Sequence, residues 1–262
     1  MNAPTDKPTN DLLTRQADGV LWLTINREAR RNAMSPAVIE GISGALQRAR
    51  NDRSLRAIVL TGVGERAFCA GADLATGKSF KFDYSEPEQA FANLIRLARG
   101  THVPLIARVN GACVAGGMGL LAMCDLAVAA PHARFGLPEV KIGVFPAQVL
   151  AVLQGLIGRR MLTELCITGE MIDAQKALAC GLVNAVADDL DAGVQALLDR
   201  ITDKSPAAIR RGLYLMQHAQ DMTFEQSMAF VEGQIGLFAL TEDAAEGQAA
   251  FREKRKPEWS GR

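Results

Sequence analysis

Glu139 is the side chain whose setting most suggests chemistry. It follows a strand-like Ala133-Arg134-Phe135 and the segment Gly136-Leu137-Pro138, and it precedes the apolar Val140, Ile142, Val144 and Phe145. Taken singly, a glutamate is most often an exposed ion-pair partner. Seated among apolar neighbours, its carboxyl would be pushed up toward the working range of a general base. Two backbone stretches add a second kind of chemistry. In Val109 to Asp125 an apolar run ends at Asn110-Gly111, and Gly116-Gly117 then opens a small-residue helix. Glycine costs about 1 kcal/mol relative to alanine inside a helix. Such a pair serves either to let a ligand lie against bare N–H groups at a helix N-terminus or to allow a tight helix contact. Both readings stay open on these residues alone. Ala67-Phe68-Cys69-Ala70-Gly71-Ala72-Asp73-Leu74 is a second strand-to-loop passage of small residues. Two such stretches could each aim one donor at a single oxygen, which is how an oxyanion hole is built.

The elements that must hold these groups can be read from pattern. Leu12–Gln16 and Val20–Asn26 read as a hairpin around Ala17-Asp18-Gly19. Ser35 is a fitting N-cap with Pro36 at the first helical position, predicting a helix to Asn51. Arg56–Gly62, Pro104–Val109 and Asp125–Ala130 read as buried strands, and Pro87–Ala98 as a helix. Helical runs are expected over Pro146–Leu156, Arg159–Cys166 and Ala174–Ala179, with a short strand at Val183–Val186. Residues 75–88 are polar and mixed and read as a mobile loop of a length that tends to be functional. From Leu190 onward the pattern is helical, with starts at Ser205-Pro206 and Thr223-Phe224. The front two-thirds thus alternates strand and helix, and the rest is helix, with no exact internal repeat.

Composition narrows the function. In 262 residues the 29 basic and 29 acidic side chains cancel, so no global field draws the chain to nucleic acid or an anionic membrane. Cys69, Cys113, Cys124, Cys166 and Cys180 form no CxxC pair and read as small buried hydrophobes in a reducing compartment. His102, His132 and His218 share no metal-ligand spacing, so no metal site is expected. The polar, proline-rich residues 1–10 lack a signal-peptide core and read as a disordered tail. No stretch is long enough to span a bilayer. A cytoplasmic protein is the expectation.

The order and spacing of these motifs resemble the crotonase, or enoyl-CoA hydratase/isomerase, superfamily. The resemblance is carried by Asn26-Arg27, Asn32-Ala33-Met34, Phe68 to Asp73, Asn110-Gly111 through Gly116-Gly117 to Cys124-Asp125, and Phe135 to Glu139 with Gly143 and Pro146. Thr168-Gly169-Glu170, Gly181-Leu182-Val183, and Glu246 to Pro257 continue it, so that only the first ten residues fall outside. It implies an α/β fold, a crotonase-like (ClpP/crotonase) spiral of ββα units over residues 11–190, with a helical C-terminal region over 191–262 used for assembly as a homotrimer or a dimer of trimers. It implies Glu139 as the catalytic carboxylate and the N–H groups of Ala72 and Gly116 as the oxyanion donors. Arg30, Arg31, Ala33, Ala70, Asp73, Leu74, Gly117, Gly119 and Lys254 are assigned by the same resemblance to the coenzyme A and acyl portions of the substrate. Coenzyme A enters with the substrate, and no other cofactor is implied.

The chain departs from the two-carboxylate pattern at Gly119, where hydratases of this superfamily place a second glutamate. Ala147 stands where aryl-CoA dehalogenases carry an aspartate, and Phe145 to Leu150 lacks the usual glycine-rich run. Hydration asks one group to hold and deprotonate water while a proton reaches the α-carbon. Double-bond migration needs one base. The expectation is therefore an acyl-CoA enzyme that favours isomerisation through Glu139. The alternatives are a 2-enoyl-CoA hydratase despite Gly119, or a weakly active acyl-CoA binder.

Overall fold

The hairpin forms where Asp18 and Gly19 both take positive φ (50° and 74°), the primed turn whose twist suits a two-residue connection. Strands β1 (Leu12–Ala17) and β2 (Val20–Ile25) pair antiparallel across it. In this computed structural model, which describes residues 10–73 and 85–262, β1 and β2 open a six-stranded sheet. Next come β3 (Ala57–Gly62), β5 (Leu105–Val109), β7 (Leu126–Ala129) and β10 (Ala185–Val186), with every pairing from β2 onward parallel. A four-stranded sheet runs β4 (Ala67–Cys69), β6 (Ala112–Val114), β8 (Arg134–Gly136) and β9 (Met171–Asp173). From β3 to β8, consecutive strands thus alternate between the two sheets. Helix α2 (Ala90–Arg99) follows β3–β4, and α3 (Gly116–Ala122) follows β5–β6. This alternation is the expected spiral of ββα units.

Burial on both faces explains why the central strands read as continuous apolar runs. All six residues of β3 are buried. Ile58 and Leu60 face the main core with Phe68, Leu94, Met118 and Phe135. Ala57 and Val59 face the opposite way, toward Val194 and Leu198 of α7 (Leu190–Thr202). Helix α1 (Pro36–Asn51) starts where the cap chemistry says it should, with the Ser35 hydroxyl accepting from the Val38 N–H and Pro36 in the first turn.

Several boundaries differ from expectation. Helix α2 starts at Ala90, three residues after Pro87, with Gln89 still extended at its N-cap. Helix α4 (Ala147–Leu153) stops before Leu156, and β10 keeps only two of the four expected residues. The three-residue strands β6 and β9 carry too little pattern to be read locally. Helices α5 (Arg159–Thr168) and α6 (Ala174–Ala179) follow expectation, and α8 (Pro206–Ala219), α9 (Phe224–Ala239) and α10 (Glu242–Glu253) form the C-terminal region. That region is not helical to its end, because the chain from Arg255 turns back along α10 to the buried Asp243. The Asp243 carboxylate accepts from Ser205 Oγ (2.8 Å) and from the N–H groups of Ala207 (3.2 Å), Ser260 (2.9 Å) and Gly261 (3.0 Å). Leu74 and most of the expected mobile loop lie outside the described residues. Among the described residues no helix is long and apolar enough to cross a membrane.

Candidate active site

Three adjacent strands of the smaller sheet, β4, β6 and β8, run parallel, so their C-terminal ends share one edge. Ala72 lies three residues beyond β4, Gly116 two residues beyond β6, and Glu139 three residues beyond β8. With neighbouring strands about 4.8 Å apart, this edge gathers them within roughly 10 Å laterally. Open parallel sheets bind ligands at such strand ends.

The two N–H groups are prepared by specific contacts. A parallel bridge joins Met34 to Ala72 through Met34 N to Gly71 O (2.8 Å) and Asp73 N to Met34 O (3.0 Å). That pattern engages the neighbours of Ala72 and leaves its own N–H directed away from Met34. Gly116 is the first residue of α3, where an N–H has no partner within the helix. Neither N–H donates to a described residue. The two sites touch: a Cβ on Gly116 would lie 3.7 Å from Ala72 N, and one on Gly71 would lie 3.2 Å from Gly116 N. Gly71 also has φ +93°, so both space and conformation call for glycine there. Ala115, just before Gly116, holds φ 53° and ψ −124° without being glycine, a strain of about 1–3 kcal/mol. It is pinned by its N–H to Gly136 O (3.0 Å) and by Met118 N to its own carbonyl (2.9 Å). Sequence reasoning missed Ala115, because nothing in an alanine announces a left-handed backbone.

Glu139 sits in a 3-10 turn, Pro138–Ile142, that closes on Gly143. Its Oε2 is buried and has no hydrogen-bond partner among the described residues. Burial pushes its carboxyl above the ordinary 4.5. A half-buried carboxylate with a free oxygen can accept a proton from a bound molecule. Cys69 and Cys113, beneath the same edge, are fully buried. Burial drives the Cys69 thiol up to about 12 and the Cys113 thiol well above its ordinary value, so neither is a nucleophile near neutrality.

The remaining sequence-assigned residues divide. Arg30 to Ala33 and Ala70 to Asp73 are brought together by Ala70 N to Arg31 O (3.1 Å) and by the Met34 bridge. Arg30 and Arg31 are exposed there, beside a turn. The Asp73 carboxylate is engaged by Arg27 at 2.7 Å, and Arg27 also holds Asp11 (3.0 Å) and the Ala33 carbonyl (2.5 Å). Asp73 thus fastens the two loops to each other. A Cβ on Gly117 would lie 2.2 Å from the Cys69 carbonyl oxygen, so Gly117 seats α3 on β4 and does not face the Ala72–Gly116 pair. A Cβ on Gly119 would meet Phe91 Cζ at 2.8 Å and Val149 Cγ2 at 3.2 Å. Lys254 sits at the C-cap of α10, and its ammonium makes no hydrogen bond or ion pair with a described residue. Asn32 and Asn110 were not singled out as positioning residues. Both side chains donate to the Ala67 carbonyl, at 2.7 Å and 3.1 Å, and fix the entry to β4.

The spiral of ββα units is the fold of solved enoyl-CoA hydratases, which places the molecule in the crotonase fold class. A family model described as enoyl-CoA hydratase/isomerase matches residues 15–262. The 2,3-dehydroadipyl-CoA hydratase of Escherichia coli K12 is 34% identical over 260 residues, covering 97% of this chain and 100% of its own. The short-chain-enoyl-CoA hydratase of Clostridium acetobutylicum is 30% identical over 253 residues, covering 95% and 97%. A solved enoyl-CoA hydratase from Mycobacterium smegmatis superposes with a TM-score of 0.86 at 34% identity, covering 95% of this chain and 98% of that one. The chain belongs to the enoyl-CoA hydratase/isomerase family and is an enzyme of the hydratase/isomerase type, acting on acyl-CoA.

Proposed function

We propose that this enzyme moves the double bond of an enoyl-CoA thioester faster than it adds water to one, with Glu139 as the single base. The thioester carbonyl would accept from the N–H groups of Ala72 and Gly116. Glu139 takes the C2 proton of a 3-enoyl thioester, the C2–H electron pair enters a dienolate, and the negative charge gathers on the oxygen between the two donors. The protonated Glu139 returns the proton at C4, leaving the double bond at C2–C3. One such donor is worth roughly 2.7–4 kcal/mol of transition-state stabilisation, and the base a further factor of about 10²–10⁴. Arg30, Arg31, Ala33 and Ala70 would flank the coenzyme A portion, with Lys254 from the end of the C-terminal helix joining them.

The observation that carries this reading is the apolar wall at Gly119. The Phe91 ring and Val149 crowd the space a side chain there would need, one helical turn beyond Gly116, so that position holds no carboxylate and could take one only if the Phe91 ring shifted. The second reading, hydration, rests on the names of the E. coli and C. acetobutylicum relatives, both hydratases. Purified protein assayed on matched 3-enoyl- and 2-enoyl-CoA substrates decides. Isomerisation faster than hydration supports the single-base reading; hydration as fast or faster removes it. The reading extends to a homotrimer or dimer of trimers built on the C-terminal helices, supported by the exposed Phe224 (74%), Ile235 (70%) and Leu240 (81%) along α9 and at its C-cap.

A further inference from the structure

Where the C-terminal end of α1 meets the α8–α9 pair, two adjoining cavities of about 560 and 540 Å³ are lined by cations. Arg50, Arg210 and Arg211 line both, Arg53 and Arg262 the first, and His102 the second; among the described residues neither cavity is lined by an aspartate or glutamate. Arg210 has a structural role, since its guanidinium donates to the carbonyls of Arg50, Asp52 and Leu55 and so caps α1. Arg50, Arg53 and Arg211 play no such part, and their side chains make no hydrogen bond or ion pair with a described residue. The nearest carboxylate in sequence, Asp52, is turned to Ser54, accepting from its N–H (2.8 Å) and its hydroxyl (2.6 Å). His102 lines the second cavity, and its ring Nε2 is buried with no hydrogen-bond partner among the described residues. Burial first, then the charges of Arg50, His218 and Arg210, disfavour a proton on its ring. Like charges held around a cavity repel unless an anion joins them.

We propose that this cleft is a second binding site, for an anion carrying clustered phosphates such as pyrophosphate or the phosphate end of a nucleotide, gripped by Arg50 and Arg211 with His102 at the inner wall. Guanidinium groups match phosphate oxygens two at a time, which suits arginine over lysine here. The cleft is separate from the strand-end site. The Ser35 end of α1 adjoins the Met34–Ala72 bridge, the Arg50 end adjoins the cleft, and the 16-residue helix spans about 24 Å.

The proposal is tested by calorimetric titration of the whole chain with pyrophosphate, in wild type and in an Arg50→Glu/Arg211→Glu variant. The variant leaves the α1 cap intact, and an unchanged melting temperature checks its fold. The expected result is wild-type binding that weakens with added salt and falls at least about tenfold in the variant. A parallel ADP titration separates the sources: tighter binding than pyrophosphate names a nucleotide, equal binding a bare phosphate chain. Three results overturn the proposal: no pyrophosphate binding by wild type, equal binding by both proteins, or binding that free coenzyme A displaces equally from both, which would assign it to the thioester site.

Discussion

At the scale of single residues, Glu139 sets function against stability. Its carboxyl is raised in the folded state by burial, so between the free-glutamate value and the folded value the native protein binds more protons than the unfolded chain. Stability then falls as pH rises through that window. Glu139→Gln should therefore melt higher than wild type at neutral pH, with the gap closing as pH drops toward about 4.3; paired thermal melts across pH check it. Gly116 acts through its backbone. In Gly116→Val the Cβ would sit 2.6 Å from Met34 Cε and its branches would crowd Ala72 N. The flexible Met34 thioether can move, so the fold should survive while the acyl-CoA turnover barrier rises by about 2.7–4 kcal/mol. Full turnover in that variant would leave Gly116 with packing alone.

At the scale of elements, what could be read from sequence was what is fixed locally. Ser35-Pro36 placed the start of α1, because a cap hydroxyl and a proline ring act within one turn. Asp18-Gly19 placed the hairpin for the same reason. Glu139 and Gly116 could be picked out, yet the edge that gathers them could not be seen, because three-residue β6 exists only through its pairing with β4 and β8. Phe91 was invisible for a related reason: α2 meets α3 and α4 only in the folded chain, where its ring closes over Gly119. That contact alters an obvious experiment. Gly119→Glu alone would force the Phe91 ring aside and bury a charge against Val149, so it should destabilise the protein and add little hydration. Combined with Phe91→Ala, the carboxylate gains room, and the ratio of hydration to isomerisation should rise. A rise in the single variant equal to that in the double would show that Phe91 does not exclude the second acid.

At the scale of the whole molecule, a few polar anchors tie the C-terminal helices to the spiral and to one another. Arg210 caps α1 from α8, and Asp243 draws Ser205, Ala207, Ser260 and Gly261 around one buried carboxylate. Burial raises the Asp243 carboxyl, but the hydrogen bonds from Ser205, Gly261, Ala207 and Ser260 outweigh it and leave it below its ordinary 3.8. A depressed acid stabilises the fold above its unfolded value, and that contribution is lost as pH falls through the folded one. Asp243→Asn should cost roughly 1.5–3 kcal/mol at neutral pH, with the difference shrinking below about pH 4; denaturant melts at both pH values check it.

Whether one carboxylate serves proton transfer beside two backbone donors is tested by Glu139→Gln. Turnover of 3-enoyl-CoA and affinity for a saturated acyl-CoA are measured on the same preparation, against wild type. The amide keeps the shape of the side chain and removes only its capacity as a base. Turnover should be lower by about 10²–10⁴-fold, with acyl-CoA affinity essentially unchanged. Isomerisation at the wild-type rate in Glu139→Gln would contradict it, because another group would then be taking the proton.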